Sequence, residues 1–243
     1  MNGVSPHNKD VVSGEKKMNR HLHVVLALLL ALICGPAEAG IVIGGTRVIY
    51  DGDKKEASLS IRNPNKSNVY LVQSWVDSGE QGRKAPFIVT PPLFRINADE
   101  ENLLRIIRTG GALAQDRESV FWLNVKSIPA MDDSVARTNM LQVVIKSRIK
   151  LFYRPGGLPG EPGSAYQNLR FTHRGNRLTV TNPTPYYVTL FTLKVDGTEV
   201  KDVDMVPPLG NASFTLPSAA VSRVSWQAIS DYGGVSRVEH RPL

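Results

Sequence analysis

Short runs of strand-forming residues, each cut off by turn residues, govern what this chain can fold into. IVIGGTRVIY, ASLSIRN, VYLVQSWV, PFIVT, NLLRIIR, SVFWLNV and NMLQVVIKSRIKLFY follow one another between residues 40 and 154. Asp51-Gly52, Asn63-Pro64-Asn65 and Thr109-Gly110-Gly111 supply turns between them. Apolar alternation with β-branched and aromatic residues suits a pleated, half-buried surface, and no convincing amphipathic helix interrupts the series. Seven such runs predict an immunoglobulin-like sandwich, with Trp75 in the third run at a buried core position.

Gly156-Gly157-Leu158-Pro159-Gly160-Glu161-Pro162-Gly163 then breaks every pattern. It is too short for a collagen repeat and lacks the Lys-Ser/Thr ending of a phosphate loop, so it reads as a hinge over residues 155–164. Beyond it RLTVTN, YYVTLFTLKV, ASFTL, RVSWQAI and VSRVEH read as strands of a second β-sandwich, over residues 165–243. The expected fold class is therefore all-β, with a first sandwich over residues 40–154 and a second after the hinge.

The N-terminal residues carry a basic lead (Lys16, Lys17, Arg20), an apolar run over residues 24–34 and the small-x-small triplet Ala37-Glu38-Ala39. That is the pattern of a secretory signal over residues 1–39, with Gly40 as mature start and Met18 as a more ordinary initiator than Met1. The apolar run is short for a bilayer span, which needs about 20 residues, so no membrane insertion is expected. Cys34, the one cysteine, falls inside the signal as apolar filler and leaves the mature chain without a thiol. An exported chain of this kind depends on core burial rather than disulfides, and about 200 mature residues suffice for two small cores.

Removing residues 1–39 takes away four Lys/Arg and three Asp/Glu, so the net charge of +7 becomes +6. That excess is spread along the chain, with no basic block interleaved with aromatics, which argues against a nucleic-acid partner. The mature chain has two histidines, His173 and His240, far apart, and no G-x-S-x-G, H-E-x-x-H or Walker motif. Acidic clusters such as Asp99-Glu100-Glu101 and Asp132-Asp133 fit solvated turns. The expectation is a chain that is not an enzyme and has no cofactor and no metal.

Three groups of residues remain. The last run before the hinge alternates Asn139, Leu141, Val143 and Ile145 and continues through basic residues to Arg154-Pro155. Such a strand is either buried in the sandwich or left as an open edge for a partner, because a long apolar edge is otherwise an aggregation hazard. Arg47 and Lys150 are cations within β runs; they are surface charges, or, if they face one cleft, an anion site giving charge-assisted hydrogen bonds to a carboxylate. Glu118, Arg154 and Asp231 lie at strand or turn boundaries in both halves and read equally as a bridge between domains or as three unrelated surface charges. Strict alternation places Lys150 on the opposite parity from Ile145, which predicts a twist or bulge between them if both meet one partner.

LAQDRESVFWLNVKSIPA over residues 113–130, together with IKLFYRP, NPTPYY and DYGG, resembles the signature motifs of the PapD-like periplasmic pilus chaperones of the chaperone–usher pathway. The resemblance runs collinearly over residues 40 to about 240. It implies two immunoglobulin-like β-sandwich domains in a boomerang arrangement and a periplasmic chaperone that binds, folds and caps fimbrial subunits by donor-strand complementation. It further implies delivery of those subunits to an outer-membrane usher. Residue by residue, it implies that Arg47 and Lys150 anchor a subunit's C-terminal carboxylate. Asn139, Leu141, Val143 and Ile145 would lend the missing strand, and Glu118, Arg154 and Asp231 would form interdomain ion pairs. The short connection from Pro129 to Thr138 goes with rod-forming pili in that family, and a self-capping homodimer is a further possible partner state. The competing expectation is a secreted two-domain immunoglobulin-like adhesion or carbohydrate-binding module, which requires an exposed aromatic platform; Trp75, Trp122 and Trp226 all lie in strand-like runs and read instead as core.

Overall fold

The computed structural model describes residues 40–79, 84–130, 142–216, 218 and 220–243. The expected signal segment, Asn139, Leu141 and most of the connection from Pro129 to Thr138 lie outside the described residues.

The first half forms two facing sheets. One has the order β1 (Val42–Ile43), β3 (Glu56–Arg62), β7 (Glu101–Arg108), β5 (Phe87–Thr90); the other has β2 (Arg47–Asp51), β9 (Ile145–Arg154), β8 (Ser119–Pro129), β4 (Tyr70–Asp77), β6 (Leu93–Ile96). Alternation in the sequence decides which side chains enter the space between them. Leu59 and Ile61 of β3 and Leu104 and Ile106 of β7 meet Tyr50, Val72, Leu123, Leu151 and Tyr153 of the opposite sheet in one core. Each such aliphatic side chain contributes about 1.5–3 kcal/mol by leaving water. Phe87 ties the layers together, its ring centroid 5.2 Å from Tyr50 and 5.0 Å from Phe121, spacings at which edge-to-face aromatic pairs add to area burial.

Two boundaries differ from the sequence reading. The run IVIGGTRVIY is two strands in two sheets, because the chain changes layers at Gly44-Gly45. A Cβ on Gly44 would lie 2.2 Å from the Ser60 hydroxyl and 3.2 Å from its carbonyl oxygen, so any larger residue would force Ser60 to shift at this close crossing. β6, which follows Pro91-Pro92, pairs antiparallel with β4; two adjacent prolines disguise it as a break.

Trp75 and Trp122 are not core residues. Both are half-buried on the outer face of the five-stranded sheet, where Lys146 lies 5.1 Å from the Trp75 ring and Arg148 4.3 Å from the Trp122 ring. Parity explains the outcome: Trp75, Trp122, Lys146 and Arg148 occupy one side of β4, β8 and β9, while Leu123, Leu151 and Tyr153 occupy the other.

The second half is also a sandwich. Its smaller sheet is β10 (Arg170–Arg174), β11 (Arg177–Asn182), β15 (Gly210–Thr215). The larger is β13 (Thr198–Glu199), β12 (Val188–Val195), β16 (Arg223–Ala228), β17 (Glu239–Pro242), with β14 (Met205–Val206) also on β12. A 3-10 helix, Pro162–Asn168, occupies the end of the stretch read as a hinge. Trp226 is buried here with Leu178, Leu193, Val206 and Val224, and its indole N–H donates to the Tyr166 carbonyl at 3.0 Å, which satisfies the one polar atom the burial would otherwise strand. The fold is all-β with two immunoglobulin-like sandwiches, and no helix among the described residues is long and apolar enough to cross a membrane.

Candidate functional site

β2 lies parallel to the C-terminal half of β9, in a register that sets Arg47 opposite Lys150 and Asp51 opposite Arg154. Two cations remote in sequence thereby become neighbours on one sheet face. All other strand pairings among the described residues are antiparallel. Both cations reach groups of the second sandwich. Arg47 donates through Nη1 to the Ile229 carbonyl at 3.2 Å and the Thr189 hydroxyl at 3.4 Å, and its guanidinium sits 5.7 Å from the Phe152 ring. Its Nε is buried with no hydrogen-bond partner among the described residues. Burial pulls the Arg47 pKa below its ordinary value, against the opposing pull of Asp231 and Glu118. Lys150 is ion-paired with Asp204 and its ammonium lies 5.8 Å from the Trp122 ring.

Arg154, last residue of β9, connects the two halves. Its Nε donates to Glu118 at 2.6 Å, and Nη1 and Nη2 donate to the two Asp231 carboxylate oxygens at 2.8 and 3.0 Å. The second Glu118 oxygen accepts from the Tyr187 backbone N–H at 2.7 Å, and the Tyr186 ring lies 5.3 Å from the guanidinium. Glu118 is 3% exposed; its pKa is raised, because desolvation outweighs the pull of Arg154. The Arg154 pKa is raised too: burial opposes its charge, but the bonds to Asp231 and the nearby Glu118 prevail. DYGG brings Asp231 into place. Gly233 has φ +82°, and a Cβ there would fall 2.6 Å from the Thr46 hydroxyl, so the turn can lie against the start of β2 only with glycine.

β9 pairs with β8 along its length, but β2 covers it only over residues 150–154. Residues 145–149 therefore present an edge with no strand beside it among the described residues. Ile145 at its start is 45% exposed, and Val143, two residues before it, is 62% exposed. The register between β8 and β9 shows no shift from Ile145 to Tyr153. Of the twist or bulge expected if both meet one partner, no bulge occurs over these residues, and Ile145 stays on the sheet side of Ile149 and Leu151 while Lys150 stays on the side of Trp122. A ligand that meets both must bring its backbone to the edge and its terminus over the outer face.

Sequence reasoning missed the groups that receive these cations. Thr189, Ile229 and Asp204 belong to the second sandwich and carry no motif; only the pairing of β14 with β12 brings Asp204 to the cleft. Asp77 was missed likewise, and it holds Arg148 at 2.9 Å and the Asn124 amide at 2.7 Å on the Trp122 face. His173 and His240 are exposed, and no group of three potential metal ligands occurs among the described residues.

Comparison with known proteins places this geometry in a family. Residues 40–159 match the pili and flagellar-assembly chaperone PapD N-terminal domain, and residues 164–240 match the pili assembly chaperone PapD C-terminal domain. The probable fimbrial chaperone LpfB of Escherichia coli O157:H7 is 43% identical over 224 residues, 91% of this chain and 97% of that protein. The chaperone protein FimC of Escherichia coli K12 is 45% identical over 213 residues, 87% of this chain and 88% of that protein. Among solved structures, the Salmonella enterica complex of SafA pilin with the SafB chaperone matches with TM-score 0.78 and 36% identity, covering 86% of this chain and 99% of that one. The Escherichia coli chaperone DraB matches with TM-score 0.75 and 39% identity, covering 84% and 98%. Two collinear family domains on two sandwiches, with relatives matched over nearly their whole length, show that the chain belongs to the PapD-like pilus-assembly chaperones.

Proposed function

We propose that this protein is a periplasmic chaperone for fimbrial subunits, which it captures by adding a strand to an incomplete subunit sandwich and passes to an outer-membrane usher. The chaperone class and its service to pilus subunits follow from family membership and from relatives that are fimbrial chaperones. The SafB structure contains a pilin bound to a chaperone, which is the partner class inferred here. A chaperone is not an enzyme class, and the work required is binding rather than bond-making.

The observation that carries the mechanism is the half-covered β9. Its edge, with no strand beside it among the described residues, offers backbone groups beside exposed Val143 and Ile145, and it ends at the Arg47–Lys150 pair. Strand addition supplies main-chain hydrogen bonds along such an edge, while alternate apolar side chains fill the acceptor's groove. Arg47 and Lys150 then fix the register by holding the subunit's terminal carboxylate. That matters because a slip of one residue turns every side chain to the wrong face. Asn139 and Leu141 are assigned to the same donor segment. Glu118, Arg154 and Asp231 are assigned the orientation of the two sandwiches, and residues 1–39 the export signal that delivers the chain to the periplasm. A free chain with this edge would also be able to cap itself by dimerising.

The adhesion or carbohydrate-module alternative needs bare aromatic faces. Trp75 and Trp122 lie on an outer face but under Lys146, Arg148 and Lys150, which favours the chaperone reading. Periplasmic co-expression of the tagged chain with each fimbrial subunit encoded beside it, for wild type and Lys150→Ala, tests the proposal. A stoichiometric complex for wild type that is lost in the variant is expected. Failure to recover any correctly exported subunit would leave the fold without this function.

A further inference from the structure

The two cleft cations are engaged within the chain itself, but on unlike partners. Arg47 rests on neutral oxygens, the Thr189 hydroxyl and the Ile229 carbonyl, and keeps a buried Nε with no partner among the described residues. Lys150 is held by a full carboxylate, Asp204. Asp204 stands immediately before β14, whose Met205 and Val206 pair with Thr189 and Val188, and its carbonyl accepts the Leu190 N–H at 2.9 Å. The stretch of β12 that offers a hydroxyl to Arg47 thus also fixes the backbone of Asp204 over Lys150. The Asp204 side chain is 64% exposed, whereas that of Lys150 is only 15% exposed and lies against Trp122. The carboxylate can therefore swing into water at little cost, and the ammonium cannot follow it.

The geometry points to Asp204 as a built-in stand-in for the ligand carboxylate, pairing with Lys150 within the chain and yielding it when a subunit terminus arrives. This rests on the reading of Arg47 and Lys150 as a carboxylate anchor. Ligand binding then exchanges one carboxylate for another at Lys150, so the net electrostatic gain there is small. A tethered carboxylate acts at an effective concentration in the millimolar range, which dilute free anions do not match. The cleft consequently rejects small acids and admits a carboxylate that arrives with strand pairing along β9, where the additional binding energy lies. Discrimination rather than affinity is what Asp204 provides.

The test uses a synthetic peptide of alternating apolar residues, ending either in a free carboxylate or in an amide, titrated into wild type, Asp204→Asn, Lys150→Met and the double variant. Because the Asp204–Lys150 pair is largely solvated on one side, its removal should tighten binding of the carboxylate peptide by about two- to fivefold, the range of exposed ion pairs. Binding of the amide should not change, and Asp204→Asn on the Lys150→Met background should have no effect. Acetate should compete with the carboxylate peptide more effectively in Asp204→Asn than in wild type. If wild type prefers carboxylate over amide and Lys150→Met abolishes that preference, but Asp204→Asn binds equally or more weakly, the stand-in is refuted while the anchor survives. If wild type shows no preference for the carboxylate, the anchor fails and the stand-in with it. Matching circular dichroism spectra of the variants separate either outcome from misfolding.

Discussion

Removing the Arg154 guanidinium would leave Glu118 buried and, among the described residues, held by the Tyr187 N–H alone, so that it must keep its charge at a desolvation cost or take up a proton. Breaking a buried pair by deleting one partner costs about 3–5 kcal/mol, because the remaining charge keeps its desolvation penalty. Arg154→Ala should therefore lower unfolding free energy by about that amount in urea titrations, whereas Asp231→Ala, whose carboxylate is a third exposed, should cost less. Equal, small losses for both would show that the trio does not act as a buried charge centre. At this scale the spacing of charges displayed candidates, and only the family resemblance paired them. Glu118, Arg154 and Asp231 were visible as charges at boundaries and were implied by that resemblance to pair between domains, yet nothing in three separated positions reveals the bidentate fork itself. Asp204 was not visible at all, since an aspartate before a short strand is the most ordinary of turn residues.

Under the proposed function, the half of β9 left uncovered among the described residues separates binding from stability within one element. Ile145 is already 45% exposed, so Ile145→Lys should change the stability of the free chain by no more than about 0.5 kcal/mol. On the proposed function the same side chain is buried in the acceptor groove of a subunit complex, where losing an aliphatic group costs about 1.5–3 kcal/mol, or about 10- to 150-fold in affinity. Competition titration of the variant against wild type for a captured subunit measures it, and unchanged affinity would remove Ile145 from the donor set. The alternating apolar run and its basic continuation made β9 legible as a strand. Its half-coverage was not legible, because that depends on β2 leaving one sheet at Gly44-Gly45 and joining the other in parallel. Trp75 and Trp122 misled for a related reason: period-two patterning says which residues share a face, but not which face meets the core.

Two sandwiches with separate cores were readable from strand spacing and from the Gly-Pro stretch between them, since local turn chemistry punctuates an all-β chain wherever it occurs. The cleft between them was implied only by the family resemblance, because it is built from long-range pairings that no local pattern encodes. The central claim is that a fimbrial subunit completes itself on the open edge of β9 beneath the Arg47–Lys150 pair. Hydrogen–deuterium exchange of the free chain and of its purified subunit complex tests it most directly. Residues 145–149 should exchange rapidly on their uncovered side in the free chain and become strongly protected in the complex, with little change over residues 150–154, which β2 already covers. Unchanged exchange over residues 145–149 in a stoichiometric complex, with protection confined to the second sandwich, would contradict strand donation by β9.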